Sequence, residues 1–380
     1  LTAYGLYASV GVYIEDGLLG TLDNSGTIEA KLTNDDGAYG VYIYADDLEG
    51  TLTNTGRIAA TATGRIAATA TGTTWNTAVG IFVYGGNTGD LTGSLVNEGT
   101  IQGRATGSGG TGYGVYVEGE LSGTLDNSGL IKGIVSSVER GGTAYGVYVY
   151  GGIAATGKLM NSGTIEGVVD GGTTWGYAVG VNVDDDLAGE LTNTGKISGH
   201  IVMKDVGATG ESVGGTAYGI YIDGAVNGTV DNSGTVEAFV SAYDGGTAYG
   251  LYARPTDGDI INSGLISARV IAGVDTDGTS GGGAGGVFLT SSAGVAGLSA
   301  TASLVNSGTI QATVTGGSWG SAYGVYVGDD LDGSLDNSGT ITASITNKRS
   351  DVAESRTRDV EASAYGIGVD SDVNRKLSNS

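Results

Sequence analysis

The chain has 380 residues, a formal net charge of −24 and 74 glycines, yet it contains one proline and no cysteine. The lack of cysteine excludes disulfide bonds and thiolate metal sites. The strong negative charge disfavours nucleic acid and anionic membrane surfaces as partners. No run of about 20 apolar residues is present, so we expect no membrane span in this segment.

A short phrase, Asn-Ser-Gly-Thr-Ile with small variations, recurs along the whole chain at intervals of 30 to 44 residues. Such self-similarity predicts one supersecondary unit that is stacked many times. It also disfavours a function that depends on one unique constellation of residues. The phrase begins at Asn24, Asn54, Asn97, Asn127, Asn161, Asn193, Asn232, Asn262, Asn306 and Asn337.

Each unit opens with a segment of the form Ala-Tyr-Gly-Val-Tyr-Val, as at residues 144–149. Its period-two alternation predicts a strand. Valine replaces the first tyrosine at Val79 and Val179, so we expect that position to face the core together with the valines. Asparagine replaces the second tyrosine at Asn182, so we expect the second aromatic residue, and the glycine between the two tyrosines, to point outward.

The second segment has the form Leu-x-Gly-x-Leu-x-Asn, as at residues 121–127. The asparagine has the same parity as the leucines, so we expect it to face the interior at a corner. Identical side chains stacked about 4.8 Å apart form hydrogen bonds along the axis, and the repeats therefore predict an asparagine ladder. A glycine always follows two residues later, as Gly129 does, and we attribute it to a positive φ at the corner.

The third segment begins with isoleucine or valine directly after the phrase and ends in a loop of variable length. The longer insertions, near 57–77, 198–216, 267–284 and 345–362, fall at this loop, which a solenoid tolerates because its strands keep their register. Three strands per unit predict an all-β, three-sided parallel β-helix of about 11 rungs that is continuous over residues 1–380. A propeller or sandwich of antiparallel hairpins is the alternative. The chain stops within a repeat, so we expect it to be part of a longer polypeptide.

These features resemble the passenger region of a Gram-negative autotransporter or a related bacterial surface β-solenoid. The resemblance rests on the tandem Leu-x-Asn-Ser-Gly-Thr-Ile phrases and on the Gly-rich, Cys-free, Pro-poor and acidic composition, and it covers essentially the whole chain. It implies a right-handed β-helix that is extracellular or displayed on the bacterial cell surface. It also implies a role in adhesion, aggregation, biofilm matrix or surface layers.

Acidic clusters recur just before the second strand of many units. A catalytic site should be unique, so a repeated acidic ridge argues against the Asp-based catalysis of pectin-active β-helix enzymes. We expect a solvated edge and no cofactor, with weak calcium binding between rungs as the alternative, because hard oxygen ligands suit that ion. The candidate calcium ligands are Asp46, Asp47, Asp184, Asp185, Asp186, Asp329 and Asp330.

His200 is the only histidine, so Ser-His-Asp triads and histidine metal sites have no support in this sequence. It falls in an irregular stretch, residues 199–215, where we expect an exposed insertion. A mixed-charge cluster in the last insertion is expected to be a solvated loop or, alternatively, to pair with the acidic ridge of a neighbouring molecule. Its basic residues are Lys348, Arg349, Arg356 and Arg358.

The second aromatic position of the first segment forms the most informative surface feature. Two interpretations stay open: the rings stack and cover bare glycine backbone, or they form a contact face for another rod or for glycans. A long and uniform stripe favours self-association over glycan binding. The candidate contact residues are Tyr13, Tyr42, Phe82, Tyr116, Tyr148, Tyr221, Tyr252, Phe288 and Tyr326.

The sequence therefore predicts a non-enzymatic, extracellular structural protein, such as a stalk, fibre or biofilm-matrix component, that self-associates into fibres or layers. The alternative is an adhesin that binds glycans or a host surface through the aromatic stripe or the insertions. A polysaccharide-active enzyme ranks last among the three hypotheses.

Overall fold

A computed structural model describes the protein over most of its length. The described residues are 8–32, 37–44, 48–63, 76–84, 90–107, 109–137, 141–203, 214–254, 257–273, 280–290, 297–317, 319–346 and 362–380. Asp46, Asp47 and the basic cluster of the last insertion therefore lie outside the described residues. Large parts of the predicted insertions lie outside them as well.

The described residues form strands in groups of three, and we call each group a rung. Rungs 1 to 4 contain β1 (Ala8–Ile14), β2 (Thr21–Asn24), β3 (Thr27–Leu32), β4 (Gly37–Tyr44), β5 (Thr51–Asn54), β6 (Arg57–Thr63), β7 (Thr77–Tyr84), β8 (Ser94–Asn97), β9 (Thr100–Thr106), β10 (Thr111–Val117), β11 (Thr124–Asn127) and β12 (Leu130–Ser137). Rungs 5 to 8 contain β13 (Thr143–Val149), β14 (Lys158–Asn161), β15 (Thr164–Gly171), β16 (Gly176–Val183), β17 (Glu190–Asn193), β18 (Lys196–Val202), β19 (Gly215–Ile222), β20 (Thr229–Asn232), β21 (Thr235–Ala242), β22 (Gly245–Ala253), β23 (Asp259–Asn262) and β24 (Leu265–Ala272). Rungs 9 to 11 contain β25 (Gly281–Leu289), β26 (Ser303–Asn306), β27 (Thr309–Thr315), β28 (Trp319–Val327), β29 (Ser334–Asn337), β30 (Thr340–Thr346), β31 (Ala362–Val369) and β32 (Lys376–Asn379).

Each strand pairs in parallel with its equivalent in the next rung, which builds three sheets along one axis. Sheet 1 contains the 11 first strands, sheet 2 the 11 second strands and sheet 3 the 10 third strands. The predicted three-sided parallel β-helix with about 11 rungs is confirmed, and the antiparallel alternative is wrong. Eleven rungs at about 4.8 Å give a stack about 50 Å long.

The main core is made of aliphatic columns that run parallel to the axis. Leu95, Leu125 and Leu159 pair in register in sheet 2, and each side chain is fully buried. Isolated bridges extend the pattern to the aliphatic residue that precedes most sheet 2 strands, for example between Leu91 and Leu121. Each column buries like residues over like, so an insertion between strands leaves the packing unchanged.

Sheet 1 strands depart from strict alternation at their central glycine. In β10, Gly114 and Val115 are both buried, whereas Tyr113 and Tyr116 are only partly buried. A Cβ atom built on Gly114 would lie 2.6 Å from Cγ2 of Ile131 and 2.6 Å from the backbone oxygen of Gly146. The glycine therefore faces the interior, and the two successive inward residues place both tyrosines on the outer face.

Two predictions about this segment are consequently wrong. The first tyrosine does not face the core, and the glycine does not point outward. The bend also creates a second, smaller core, in which alanines such as Ala144 pack with residues such as Val135 and Val169 from sheet 3. Sequence alternation alone does not reveal this bend, because the close approach of an isoleucine from another sheet imposes it.

Glycine is needed in the Asn-Ser-Gly phrase for a different reason from the one expected. None of these ten glycines has a positive φ. A Cβ atom on Gly129 would instead lie 2.1 Å from the backbone oxygen of Gly99 in the preceding rung. Stacked corners approach so closely that no side chain fits, and the positive-φ explanation is therefore wrong.

Candidate functional site

The predicted contact residues form one column on the outer face of sheet 1. Tyr42 pairs in register with Tyr13 and Phe82, and Tyr116 pairs with Phe82 and Tyr148. Asn182 occupies the column in rung 6. Beyond it the column continues through Tyr221, Tyr252, Phe288 and Tyr326.

A second aromatic column lies beside the first. Its residues occupy the first tyrosine position, which was predicted to face the core. Tyr113 stacks on Tyr116 within its own rung, with ring centroids 5.1 Å apart, and on Tyr145 of the next rung at 5.0 Å. The residues of this column are Tyr39, Tyr113, Tyr145, Tyr218, Tyr249, Tyr323 and Tyr365. We call the two columns together the aromatic face.

Together with Tyr177, which lies outside the two columns, the rings of the aromatic face are in contact from rung 1 to rung 11. Each consecutive pair of centroids along one path is separated by 5.9 Å or less. The path runs through Tyr13, Tyr42, Phe82, Tyr116, Tyr148, Tyr145, Tyr177, Tyr218, Tyr249, Phe288, Tyr326, Tyr323 and Tyr365.

Rung 6 shows how this continuity is kept. Both aromatic columns lack a ring there, because Val179 and Asn182 occupy the two positions. Tyr177 stands in a neighbouring column at a position that threonine occupies in the adjoining rungs, and its ring lies 5.9 Å from Tyr145 and 5.6 Å from Tyr218. The signal was present in the sequence, since tyrosine replaces threonine in the rung that lacks the other rings.

The aromatic face is free of charge in its strands. None of the 11 strands of sheet 1 contains an acidic, basic or histidine residue, although the chain carries a net charge of −24. Burial of the phenol groups raises the pKa of Tyr113 and of Tyr249 to about 12. The phenols therefore stay neutral throughout the physiological pH range.

Carboxylates border the face at the ends of some sheet 1 strands. The Tyr221 hydroxyl donates a hydrogen bond to Oδ1 of Asp223 at 2.7 Å, and Arg254 forms an ion pair with the same carboxylate at 2.9 Å. The Tyr326 hydroxyl likewise donates to Asp370. These bonds fix the orientation of rings in the C-terminal half of the face.

The asparagines of the repeated phrase form a continuous side-chain ladder at the corner between sheet 2 and sheet 3. Nδ2 of Asn97 donates to Oδ1 of Asn127 at 2.7 Å, and Nδ2 of Asn127 donates to Oδ1 of Asn161 at 2.7 Å. Ten such bonds, of 2.5 to 2.8 Å, run from Asn24 to Asn379. The ladder pairs amide groups that would otherwise be costly to bury.

The acidic ridge makes hydrogen bonds to the next rung. Oδ1 of Asp186 accepts from the backbone N–H of Ala225 at 2.7 Å, and Oδ1 of Asp330 accepts from that of Asp372 at 3.0 Å. The N–H of Asp372 holds the pKa of the Asp330 carboxyl below its usual value. These carboxylates thus satisfy exposed backbone donors at the corner that precedes sheet 2.

The other described candidate ligands do not converge on a common point. Oδ1 of Asp185 accepts from the backbone N–H of Asp186, while Asp184 adds a negative charge near Tyr148. Asp329 has a positive φ of 81°. Among the described residues, no group of three or more His, Cys, Asp or Glu side chains is arranged to hold a metal ion.

His200 lies on a strand, and the expectation of an exposed insertion is wrong at this position. It belongs to β18 of sheet 3, and its ring centroid lies 4.6 Å from that of Phe239. Cζ of the Arg269 guanidinium lies 5.8 Å from the centroid of the Phe239 ring. Burial lowers the pKa of His200, so its imidazole is neutral at neutral pH.

No protein-family model, curated protein or solved structure matches this chain. The described residues contain no helix with the length and hydropathy needed to cross a bilayer.

Proposed function

We propose that this protein is a non-enzymatic, extracellular structural solenoid that self-associates laterally through its aromatic face. The observation that carries the proposal is an unbroken, uncharged array of rings along all eleven rungs of a strongly acidic chain. On a strongly acidic chain, a face that remained in solvent would be expected to carry charged residues in some of its eleven strands. A face that packs against another rod is expected to lack charged residues, because burying an unpaired charge is costly.

Stacking also favours a rod over a glycan as the occupant of this face. Tyr42 and Phe82 lie nearly parallel, at an interplanar angle of 6°, and Phe82 and Tyr116 are inclined by 10°. The faces of such rings contact neighbouring rings, whereas a sugar ring needs an open aromatic face. A second rod needs only the continuous uncharged surface that the ring edges provide.

The resemblance to autotransporter passengers supports an extracellular location and a role in a fibre, surface layer or biofilm matrix. The fold suits such a role, because ladders of backbone and asparagine hydrogen bonds make a stiff rod. The repeated acidic ridge supports solubility of the free rod rather than catalysis.

The test compares matched pairs of charge substitutions in the whole chain. Thr143→Glu with Thr216→Glu places two carboxylates on the outer face of sheet 1, and Thr61→Glu with Thr313→Glu places two on the outer face of sheet 3. Sedimentation and negative-stain microscopy should show fibres or layers for the native chain and for the sheet 3 variant. The sheet 1 variant should remain as single rods.

Equal assembly of both variants would show that another face mediates association. Isolated native rods at high concentration would contradict the proposal as a whole. Repeating the imaging with Ca²⁺ and then with a chelator tests the acidic ridge, because loss of order on chelation would assign it a calcium-dependent part.

A further inference from the structure

The rings in the middle of the aromatic face are all phenols, and Tyr177 joins them. Each of these nine rings, in rungs 4 to 8, has a neighbour among the others whose centroid lies 5.9 Å away or less. Phenylalanine rings border the group on both sides, at Phe82 in rung 3 and Phe288 in rung 9. We call the nine residues the tyrosine array: Tyr113, Tyr116, Tyr145, Tyr148, Tyr177, Tyr218, Tyr221, Tyr249 and Tyr252.

Rings in such close contact are suited to the exchange of single electrons. The rate of electron transfer between two groups falls steeply with the distance between them, so neighbouring rings exchange electrons fastest. Phenol also loses an electron under conditions in which the benzene ring of phenylalanine does not, because its oxygen donates electron density to the ring. A missing electron can therefore move within the tyrosine array, whereas Phe82 and Phe288 separate the array from the rings beyond them.

A single phenol joins the two halves of the tyrosine array. The Tyr177 ring in rung 6 lies 5.9 Å from that of Tyr145 in rung 5 and 5.6 Å from that of Tyr218 in rung 7. The aromatic columns of rung 6 hold Val179 and Asn182, which have no aromatic ring. Among the described residues, no other chain of ring contacts connects rung 5 with rung 7, so electrons cross rung 6 through Tyr177.

The array also contains one phenol with a fixed base. Loss of an electron makes a phenol strongly acidic, so a tyrosyl radical is most stable where a base takes the proton. The Tyr221 hydroxyl donates to Oδ1 of Asp223 at 2.7 Å, and an ion pair of 2.9 Å between Arg254 and the same oxygen holds the carboxylate in place. In the described part of the chain, no other hydroxyl of the array donates to a carboxylate.

The remaining phenols have a route for their protons as well. In the described part of the chain, no phenol oxygen of the array is both buried and without a hydrogen-bond partner. In each step, one tyrosine gives an electron to the neighbouring tyrosyl radical and releases its phenolic proton to water, while the neighbour takes a proton back. The radical thus moves by one ring with no net change in protons or electrons.

We propose that the tyrosine array takes up oxidising equivalents from one-electron radical oxidants of the medium and delivers them to Tyr221. The oxidant gains one electron, Tyr221 becomes a neutral tyrosyl radical, and Asp223 receives the phenolic proton. Such a relay concentrates oxidation at one residue and spares the other rings of the face. It depends on phenol groups, whereas lateral association depends on rings, so the two proposals are independent.

The experiment exposes the whole chain to photochemically generated carbonate radical, which takes one electron from tyrosine and becomes carbonate. The dose is kept below one event per molecule. Nitric oxide, a trap small enough to reach half-buried rings, then adds to each tyrosyl radical where it resides. Peptide mapping by mass spectrometry gives the share of the product at each tyrosine, and in the native chain Tyr221 should carry the largest share within the array.

Three variants test the path and its end point. Tyr177→Phe keeps the ring but removes the oxidisable phenol, so the product at Tyr221 should fall and that in rungs 4 and 5 should rise. Asp223→Asn keeps an oxygen acceptor but removes the base, so the product should spread over the array. Tyr150→Phe is the matched control, because this 54% exposed ring lies beside the path, 6.5 Å from Tyr148, and the share at Tyr221 should not change.

Two results would overturn the proposal. One is a native distribution that follows solvent exposure without an excess at Tyr221, and the other is an unchanged share at Tyr221 in Tyr177→Phe. Circular dichroism establishes that each variant is folded. Sedimentation of Tyr177→Phe separates this proposal from lateral association, because the variant retains every ring and should assemble as the native chain does.

Discussion

The outer faces of sheet 1 and sheet 3 are built on the same rungs but have opposite chemistry. Sheet 1 presents stacked rings and no charged residue in its strands, whereas charged residues occur in most strands of sheet 3. On sheet 3, Lys132 forms an ion pair with Glu166 at 2.9 Å, and Lys196 forms one with Glu237 at 3.0 Å. The charged residues of the sheet 3 strands are Glu29, Lys31, Arg57, Arg104, Lys132, Glu166, Asp170, Lys196, Glu237 and Arg269.

The comparison shows that the fold does not require either surface. Parallel backbone ladders and buried inward columns lie behind both faces, so each outer face is free to acquire its own chemistry. Opposite charges on neighbouring rungs specify register on sheet 3 at little gain in stability. Half-buried rings on sheet 1 add stability through ring–ring contacts.

The largest effect is expected from titration of tyrosine at alkaline pH, which acts on sheet 1 alone among the three sheets because no strand of sheet 2 or sheet 3 contains tyrosine. Burial raises the pKa of Tyr113 and Tyr249 from 10.0 to about 12. Between these values the unfolded chain loses phenolic protons that the folded chain keeps, so the free energy of unfolding falls as pH rises.

Tyrosinate absorbance and circular dichroism, recorded together, measure this effect. The tyrosinate signal of the buried rings Tyr113 and Tyr249 should appear together with the loss of strand signal, between about pH 10 and pH 12. Full ionisation of the tyrosines near pH 10 with the strand signal intact would contradict the buried face.

The asparagine ladder provides a reference outside both faces. Asn127→Ala removes the acceptor of Asn97 and the donor to Asn161, and leaves buried amide groups without partners. We expect a loss of about 2–4 kcal/mol in the free energy of unfolding, measured by denaturant titration. Asp126→Ala, at the adjacent outward position, is the control and should change it by less than about 0.5 kcal/mol.

The smallest effects compare the two faces within rung 4. Tyr113→Ala removes ring contacts with Tyr116 and Tyr145 and should cost about 2 kcal/mol, whereas Lys132→Ala removes one surface ion pair and should cost about 0.5 kcal/mol. Tyr113→Phe keeps the ring and should remain close to the native chain. Equal losses for the two alanine variants, measured by denaturant titration, would remove the energetic distinction between the faces.

The facing of residues that recur in every unit was predicted correctly from the sequence wherever strict alternation held. The buried leucines of sheet 2 and the inward asparagines follow directly from parity and spacing, since β-strand side chains alternate between two faces. The first tyrosine and the central glycine of sheet 1 were placed on the wrong sides. Their parity changes at a bend that depends on an isoleucine column from sheet 3.

The sequence by itself determined the number of rungs, the strands in each rung and the columns of the main core, because these depend on local patterns that repeat. Only the tertiary structure decided which rings meet across rungs and how Tyr177 bridges rung 6. The physical reason is that stacking places residues that are 30 to 44 positions apart in direct contact. At a bend or corner, the direction in which a side chain points is therefore set by its neighbours in space rather than by its neighbours in the chain.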